Sequence, residues 1–306
     1  MSDKNVLITW GGWEGHEPEK VAHLIAGMLS DQGLTSDIVD TLECFDDLDA
    51  LCRFDLIVPV WTMSKIEKHQ AENVSEAVAR GTGLAGCHGG MCDAFRDNVL
   101  WQFMTGANWV AHPGGDGVPY TVNIIDREHE LTQGIEDFEV ATEQYYLHVD
   151  PANHVLASTR FPSVTWYHSA NGPVDVPVAW TRKWGVGRVY YNALGHKANV
   201  IEDGMPYEML RRGVLWAAQS KAAAQDSELR PEDFQSPASI IRFFGQRCRL
   251  VPSRAPFFRA ARRRYRRGNA SRGDANFEDV FAALPRLPSM PKEAPVLFVR
   301  DHRFAG

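Results

Sequence analysis

The sequence lacks long apolar runs and any cysteine pattern that would predict a metal site or a disulfide framework. None of its apolar stretches reaches the roughly 18 residues that a membrane span requires, so we expect no membrane association. Strand-like sequence begins within the first few residues, so we expect no signal peptide. The five cysteines are odd in number and do not have zinc-site spacing. Together these absences predict a cytoplasmic protein without disulfides.

The sequence also lacks the glycine patterns that bind nucleotides. Gly11, Gly12 and Gly15 follow the first predicted strand, but no Lys-Ser or Lys-Thr pair completes a phosphate-binding loop. Their spacing does not match the dinucleotide fingerprint either. We therefore expect no nucleotide cofactor.

Charge divides the chain near residue 220. The portion before this point is acidic, whereas the remainder is basic and rich in Arg and Pro, with six Arg within residues 259–267. Such a run is typical of a solvated, poorly ordered segment, and binding to nucleic acid or another anionic surface is the less favoured alternative. We predict one domain over residues 1–220 and a poorly ordered, basic C-terminal extension over residues 221–306.

Short apolar runs alternate with amphipathic segments along the first domain. Strands are predicted at residues 5–9, 35–39, 54–60, 84–85, 120–125, 155–158, 178–181 and 188–192. Helices are predicted after Pro18 and over residues 71–79 and 205–218. This alternation predicts an α/β fold with a doubly wound, mostly parallel sheet and helices on both faces.

A glycine-rich turn follows the short apolar strand predicted at Leu84 and Ala85. The sequence Gly86-Cys87-His88-Gly89-Gly90 has the spacing of a nucleophile elbow, a tight strand-to-helix turn that exposes its central side chain at the end of a sheet. In hydrolases the central residue is Ser or Cys, but here it is His88. Cys87 precedes the centre of the turn, and we expect it to be a small core residue.

Three histidines follow predicted strands. His16, His88 and His196 each lie just beyond a strand, and ligands bind at the carboxyl ends of strands in open α/β sheets. We therefore expect these imidazoles to converge on one crevice. For any one of them, the alternative is a helix cap or a buried, structurally satisfied imidazole.

A second group of reactive side chains lies at residues 143–148. Glu143, Tyr145 and His148 supply a carboxylate, a phenol and an imidazole, which together suit acid–base catalysis or part of a metal site. The alternative is that the aromatic rings belong to the core and that Glu143 is solvated. His112 lies in a separate, turn-rich loop that could line the same pocket.

The ordered set of motifs resembles the ThuA-like (trehalose utilisation) family of the class I glutamine amidotransferase-like superfamily. The resemblance covers residues 5 to about 219 and does not include the basic extension. Its motifs are Trp10-Gly-Gly-Trp-Glu-Gly-His16, Gly86-Cys-His88-Gly-Gly, Asp126-x-x-His129-x-Leu-Thr-x-Gly134, Glu143-Gln-Tyr-Tyr146 and Gly187-Arg-Val-Tyr-Tyr-Asn-Ala-Leu-Gly-His196. The resemblance implies a flavodoxin-like fold.

The chain departs from true amidotransferases at two positions. Those enzymes place Cys at the elbow and a His-Pro-Glu run near the end of the domain. Here the elbow carries His88, and the later run reads His196-Lys-Ala. An imidazole does not replace an activated thiolate in that geometry, so we do not expect glutaminase activity.

The resemblance implies a carbohydrate substrate, for which we predict an enzyme acting on a disaccharide or keto-sugar derivative. We assign acid–base roles to His88, Glu143 and Tyr145. A divalent metal such as zinc is predicted at His16, His88 and His148. Substrate contacts are predicted for Trp10, Trp13, Trp61, His112 and His196, and Trp166 offers a further flat face. The alternative is a non-catalytic sugar-binding or regulatory protein. In either case, the protein could form a homo-oligomer.

Overall fold

A nine-stranded sheet forms the centre of the domain. The computed structural model describes residues 4–162 and 166–225, which belong to one compact unit of the chain. The extension predicted over residues 221–306 is described only as far as Gln225; its remainder and the ring of Trp166 lie outside the described residues. The strands are β1 Asn5–Gly12, β2 Thr35–Val39, β3 Leu56–Thr62, β4 Gly83–Cys87, β5 Ala107–Ala111, β6 Val118–Ile124, β7 Phe138–Thr142, β8 Tyr146–Val149, β9 His154–Phe161, β10 Val174–Trp184 and β11 Gly187–Asn192.

The first half of the sheet is parallel. Its strands lie in the order β2-β1-β3-β4-β11, and each pairs with its neighbour in the same direction. Ile8 on β1, for example, pairs with Ile38 on β2 and with Val58 on β3. Both faces of β1 and β3 are covered, which explains why their sequences are continuous apolar runs.

The second half of the sheet is antiparallel. Beyond β11 the order continues β10-β9-β6-β7, with every neighbouring pair antiparallel. The register of β10 against β9 shifts on both sides of Ala179, between Pro177 and Ala179 and between Ala179 and Trp180. Strands β5 and β8 form a separate two-stranded antiparallel sheet.

Helices cover the two faces of the sheet. They are α1 Pro18–Ser30, α2 Leu48–Leu51, α3 Lys68–Ala79, α4 Gly89–Cys92, α5 Val99–Thr105, α6 Gly204–Ala218 and α7 Ser220–Gln225. Helix α1 packs on α6, whereas α3 packs on α2 and α5. The predicted flavodoxin-like α/β fold is confirmed, with the antiparallel strands added to its parallel half. Within the described ranges, no helix has the length and apolar character needed to cross a membrane.

Local sequence explains where several helices begin. Pro18 occupies the first turn of α1, where its missing N–H is not needed. The side chain of Gln70 accepts a hydrogen bond from the backbone N–H of Glu67 at 3.1 Å, which starts α3 at Lys68. Helix α3 therefore begins three residues before the start predicted at residue 71, because the cap extends it beyond the apolar pattern.

Two glycines in helices test how tightly the layers pack. A methyl group on Gly213 of α6 would lie 2.0 Å from the buried ring of Tyr190, whose hydroxyl donates to the carbonyl of Met209 on the same helix. A methyl group on Gly27 of α1 would meet nothing within 4 Å. Gly213 thus marks a close helix–sheet contact, and Gly27 does not.

We predict opposite effects of alanine at these two positions. Gly213→Ala should lower the free energy of unfolding by about 1–3 kcal/mol, because the overpacked helix must move off the sheet. Gly27→Ala should raise it by about 0.4–1 kcal/mol through a smaller loss of backbone entropy. Urea unfolding followed by far-UV circular dichroism measures both. Equal effects of the two substitutions would contradict the packing of α6 described here.

Candidate metal centre

Four buried side chains meet at the carboxyl edge of the parallel strands. His16 lies in a 3₁₀ turn, Glu14–His16, after β1, His88 follows β4, and His196 lies in the loop after β11. Glu143 comes from the segment between β7 and β8. One ligand atom from each of these four residues lies within 4.8 Å of all the others. The predicted convergence of the three strand-end imidazoles therefore occurs around a carboxylate.

The carboxylate of Glu143 is the hub of the group. Its Oε2 lies 3.1 Å from Nε2 of His88, 3.3 Å from Nδ1 of His196 and 3.9 Å from Nε2 of His16. A tetrahedral zinc ion with bonds of about 2.0 Å separates its ligand atoms by roughly 3.3 Å. The three separations around Oε2 are thus of the size that a small divalent ion requires.

The backbone at the elbow is held in an unusual conformation. His88 has φ 48° and ψ −132°, which a residue with a Cβ adopts only under constraint. Its N–H donates to the carbonyl of Asn192 at 2.7 Å, and the hydroxyl of the buried Tyr191 donates to its carbonyl at 3.1 Å. A Cβ on Gly89 would come within 2.8 Å of the His16 ring, so glycine there lets the two imidazoles approach.

Each of the three imidazoles has an outer partner on its second nitrogen. Nδ1 of His88 lies 2.8 Å from the carbonyl of Ala193, and Nδ1 of His16 lies 2.9 Å from Oγ1 of Thr62. Nε2 of His196 lies 3.5 Å from a carboxylate oxygen of Asp116. Metal-binding histidines usually have such a partner, which fixes the ring and leaves the other nitrogen for the ion.

The tautomer of His88 shows why a cation fits between these groups. A carbonyl oxygen only accepts, so the proton of a neutral His88 ring lies on Nδ1, towards Ala193. The lone pair of Nε2 then faces the Glu143 carboxylate at 3.1 Å. Nδ1 of His196 likewise lies beside Glu143 without making a hydrogen bond. A proton on the imidazoles, or a cation bound between these atoms, would convert the repulsion into attraction.

Electrostatics favour the charge states that bind metal. Burial is the main cause that lowers the pKa of His16 to about 3, and it also lowers the pKa of His88. Burial works to raise the pKa of Glu143, but the neighbouring His196 and His88 outweigh it and lower that pKa overall. Neutral imidazoles and an ionised carboxylate are the forms that coordinate a divalent ion.

The structure does not bring His148 into this group, which corrects its expected role as a ligand. His148 lies on β8 opposite Asn108, and its side chain is exposed, whereas the preceding Leu147 is buried. Because alternate residues of a strand face opposite sides, the buried position falls one residue earlier. His196, which was expected to contact substrate, occupies the third imidazole position instead.

Two other predicted residues border the group. The ring of Tyr145 stacks on His88, with centroids 3.9 Å apart, and burial raises the pKa of its phenol well above the ordinary value. Nδ1 of His112 lies 3.7 Å from Oε1 of Glu143, and 37% of its side chain is exposed. Tyr145 is therefore a buried wall of the site, and His112 lies at its opening.

The three predicted tryptophans lie in different environments. Trp13 is 46% exposed, and its ring packs edge-on against His16 with centroids 4.8 Å apart. Trp10 and Trp61 are half-buried and pack against the core. Trp13 thus presents the most open ring face beside the group.

Sequence reasoning missed two residues that support the site. Thr62, at the end of β3, makes a hydrogen bond with Nδ1 of His16. Asp116, in the loop before β6, lies 3.5 Å from Nε2 of His196 and accepts a hydrogen bond from Lys197. Thr62 ends a buried strand at the same edge of the sheet as the histidines, so its position in the sequence indicates a place at the site. Asp116 lies in the glycine-rich run Gly114-Gly115-Asp116-Gly117, where the sequence does not indicate the direction of the side chain.

Comparisons with known proteins agree with this architecture. A ThuA-like protein from Bacteroides uniformis has a TM-score of 0.57 and 17% identity, over 76% of this chain and 96% of that chain. A ThuA-like protein from Parabacteroides merdae has a TM-score of 0.54 and 19% identity, over 72% and 91%. No curated protein matches the chain. The family model ThuA, described as trehalose utilisation, matches residues 5–217, and the chain therefore belongs to the ThuA family.

Proposed function

We propose that this protein is a carbohydrate-metabolism enzyme that uses a divalent metal bound by His16, His88, Glu143 and His196. The proposal rests chiefly on one observation. Each of the three imidazoles turns one nitrogen towards the carboxylate and has a partner for the other. The family description, trehalose utilisation, supports a sugar substrate, and we propose a disaccharide or keto-sugar derivative.

The donor set favours zinc or a similar transition ion. Three imidazole nitrogens and one carboxylate oxygen match the ligands that zinc takes, whereas calcium and magnesium prefer oxygen alone. When bound, such an ion polarises a sugar carbonyl or hydroxyl. Trp13 offers its exposed ring to a sugar face, and the buried Tyr145 shields the inner side of the group from water.

The buried thiols argue against amidotransferase chemistry. Cys87, beside the elbow, is buried in the core, and burial raises the pKa of its thiol to about 12. A thiol of this kind does not supply the thiolate that a covalent glutaminase mechanism needs.

The second candidate function is a non-catalytic sugar-binding or regulatory protein, which the closed, buried set of ligands would also allow. The cytoplasmic location and the formation of a homo-oligomer both remain predictions.

We predict that the purified protein contains close to one equivalent of zinc or a related divalent ion. His88→Gln and Glu143→Gln should lose most of this metal, because each removes one ligand from a site of four. Elemental mass spectrometry measures the metal content, and far-UV circular dichroism shows whether each variant is folded. His23→Ala, an exposed histidine on α1, is the control and should keep its metal.

The same variants separate the two candidate functions. An enzyme should convert keto-sugars or disaccharides only with metal present, and folded His88→Gln should lose turnover. A binding protein should show altered sugar affinity and no turnover in either form. Metal-free wild-type protein, even after incubation with zinc, would refute the metal centre.

We also predict that Asp116 strengthens metal binding through His196. Asp116→Asn should weaken metal affinity by about 10–100-fold, because the amide no longer holds the outer nitrogen as a charged acceptor. Competition with a chromophoric chelator measures the affinity. Asp175→Asn is a matched control, since Asp175 is another exposed aspartate in an ion pair, with Arg160, outside the centre. Equal affinities for the two variants would contradict this role of Asp116.

A further inference from the structure

We propose that His112 is the residue that transfers the proton in the reaction, an inference that rests on the proposed function above. In this assignment the three buried imidazoles bind the metal, and His112 acts on the substrate. The assignment moves the acid–base role away from His88, to which the sequence had pointed. Four observations on the environment of His112 support it.

His112 differs from the other three imidazoles of the site in its contacts. Within the described part of the chain, neither of its ring nitrogens makes a hydrogen bond. The ligand histidines each have an outer partner and are almost fully buried, whereas 37% of the His112 side chain is exposed. An imidazole that is free of an outer partner and partly exposed to solvent suits proton exchange better than metal binding.

The two oxygens of Glu143 face different imidazoles. Oε2 faces His16, His88 and His196, whereas Oε1 lies 3.7 Å from Nδ1 of His112. Nδ1 of His112 thus faces the carboxylate, and Nε2 is the ring nitrogen on the far side of the imidazole. Nε2 is the atom that we assign to proton exchange with the substrate.

Aromatic rings hold His112 at the opening of the site. Trp109 lies against it with centroids 5.5 Å apart, and Tyr145 lies 6.3 Å away on the inner side. The guanidinium of Arg96 covers the ring of Trp109 at 4.0 Å. This wall keeps the imidazole beside Glu143.

The backbone after β5 also fixes the position of His112. Its carbonyl accepts a hydrogen bond from the N–H of Gly115 at 3.0 Å, which closes a turn directly after the strand. The turn places the residue between the end of β5 and the loop that carries Asp116. His112 is thus held by both its ring and its backbone on the open side of the centre.

The chemistry that this placement allows is proton transfer next to a sugar carbonyl. Nε2 of His112 takes a proton from the carbon beside the carbonyl, the C–H electron pair forms a C=C bond, and the C=O pair moves to oxygen. Return of a proton from Nε2 to the same carbon exchanges its hydrogen with solvent. Return to the former carbonyl carbon, with a hydroxyl proton moving between the two oxygens, isomerises the sugar. Neither route needs an oxidant or a reductant.

Deuterium exchange tests this role directly. Zinc-loaded wild type, His112→Ala and His112→Gln are incubated in D₂O with a keto derivative of trehalose, and proton NMR follows the C–H beside the carbonyl. We expect both variants to keep their metal and to lose exchange by about 10²–10⁴-fold, the usual contribution of a general acid–base group. His148→Ala, an exposed histidine on the adjoining strand β8, is the control and should exchange at the wild-type rate.

Chemical rescue distinguishes a proton carrier from a structural residue. Imidazole added to His112→Ala should restore part of the exchange, because the vacated position is open to solvent. Wild-type exchange in fully metallated His112→Ala would overturn the inference, and so would loss of metal in that variant, since His112 would then be a ligand. Wild-type protein that binds metal and exchanges no sugar hydrogen would instead overturn the proposed function and this inference together.

Discussion

A carboxylate buried among imidazoles is the constraint on which the site depends. Burial disfavours the charge of Glu143, and only N–H donors or positive charge beside it lower the pKa of that carboxyl. A neutral His88 presents a lone pair rather than an N–H to it, because the other ring nitrogen lies beside the carbonyl of Ala193. Such an arrangement is costly without positive charge at its centre. The proposed ion would therefore depend on the partners of the outer nitrogens as much as on the four side chains themselves.

The site forms where the two halves of the sheet are brought together. The parallel half supplies the imidazoles, since the carboxyl ends of its strands meet at one edge. The antiparallel half supplies Glu143, just after β7. At the elbow, the hydroxyl of Tyr191 and the backbone of residues 192–193 hold the strained turn that would present a nucleophile in a hydrolase. With His88 at its centre, the same turn presents an imidazole, which we propose as a metal ligand.

Much of this could be predicted from the sequence, and the remainder depends on tertiary contacts. The α/β alternation and the strand-end positions of His16, His88 and His196 follow from local pattern and topology. The role of His148 does not, because the chain between β7 and β8 is irregular. On β8 the buried side chain is that of Leu147, so His148 faces the exposed side of the strand. Asp116 lies far from His196 in sequence, and no local signal connects them.

Separate roles for the histidines follow from their surroundings rather than from their chemistry, which is the same for all four. An imidazole fixed by an outer partner and closed from solvent cannot release and recapture a proton at the substrate without breaking that contact. An imidazole with one nitrogen beside a carboxylate and the other at an opening can do so repeatedly. Glu143 makes both arrangements possible at once, because its two oxygens face the two kinds of imidazole. In the proposed assignment, a single buried carboxylate thus holds the metal and lies beside the base.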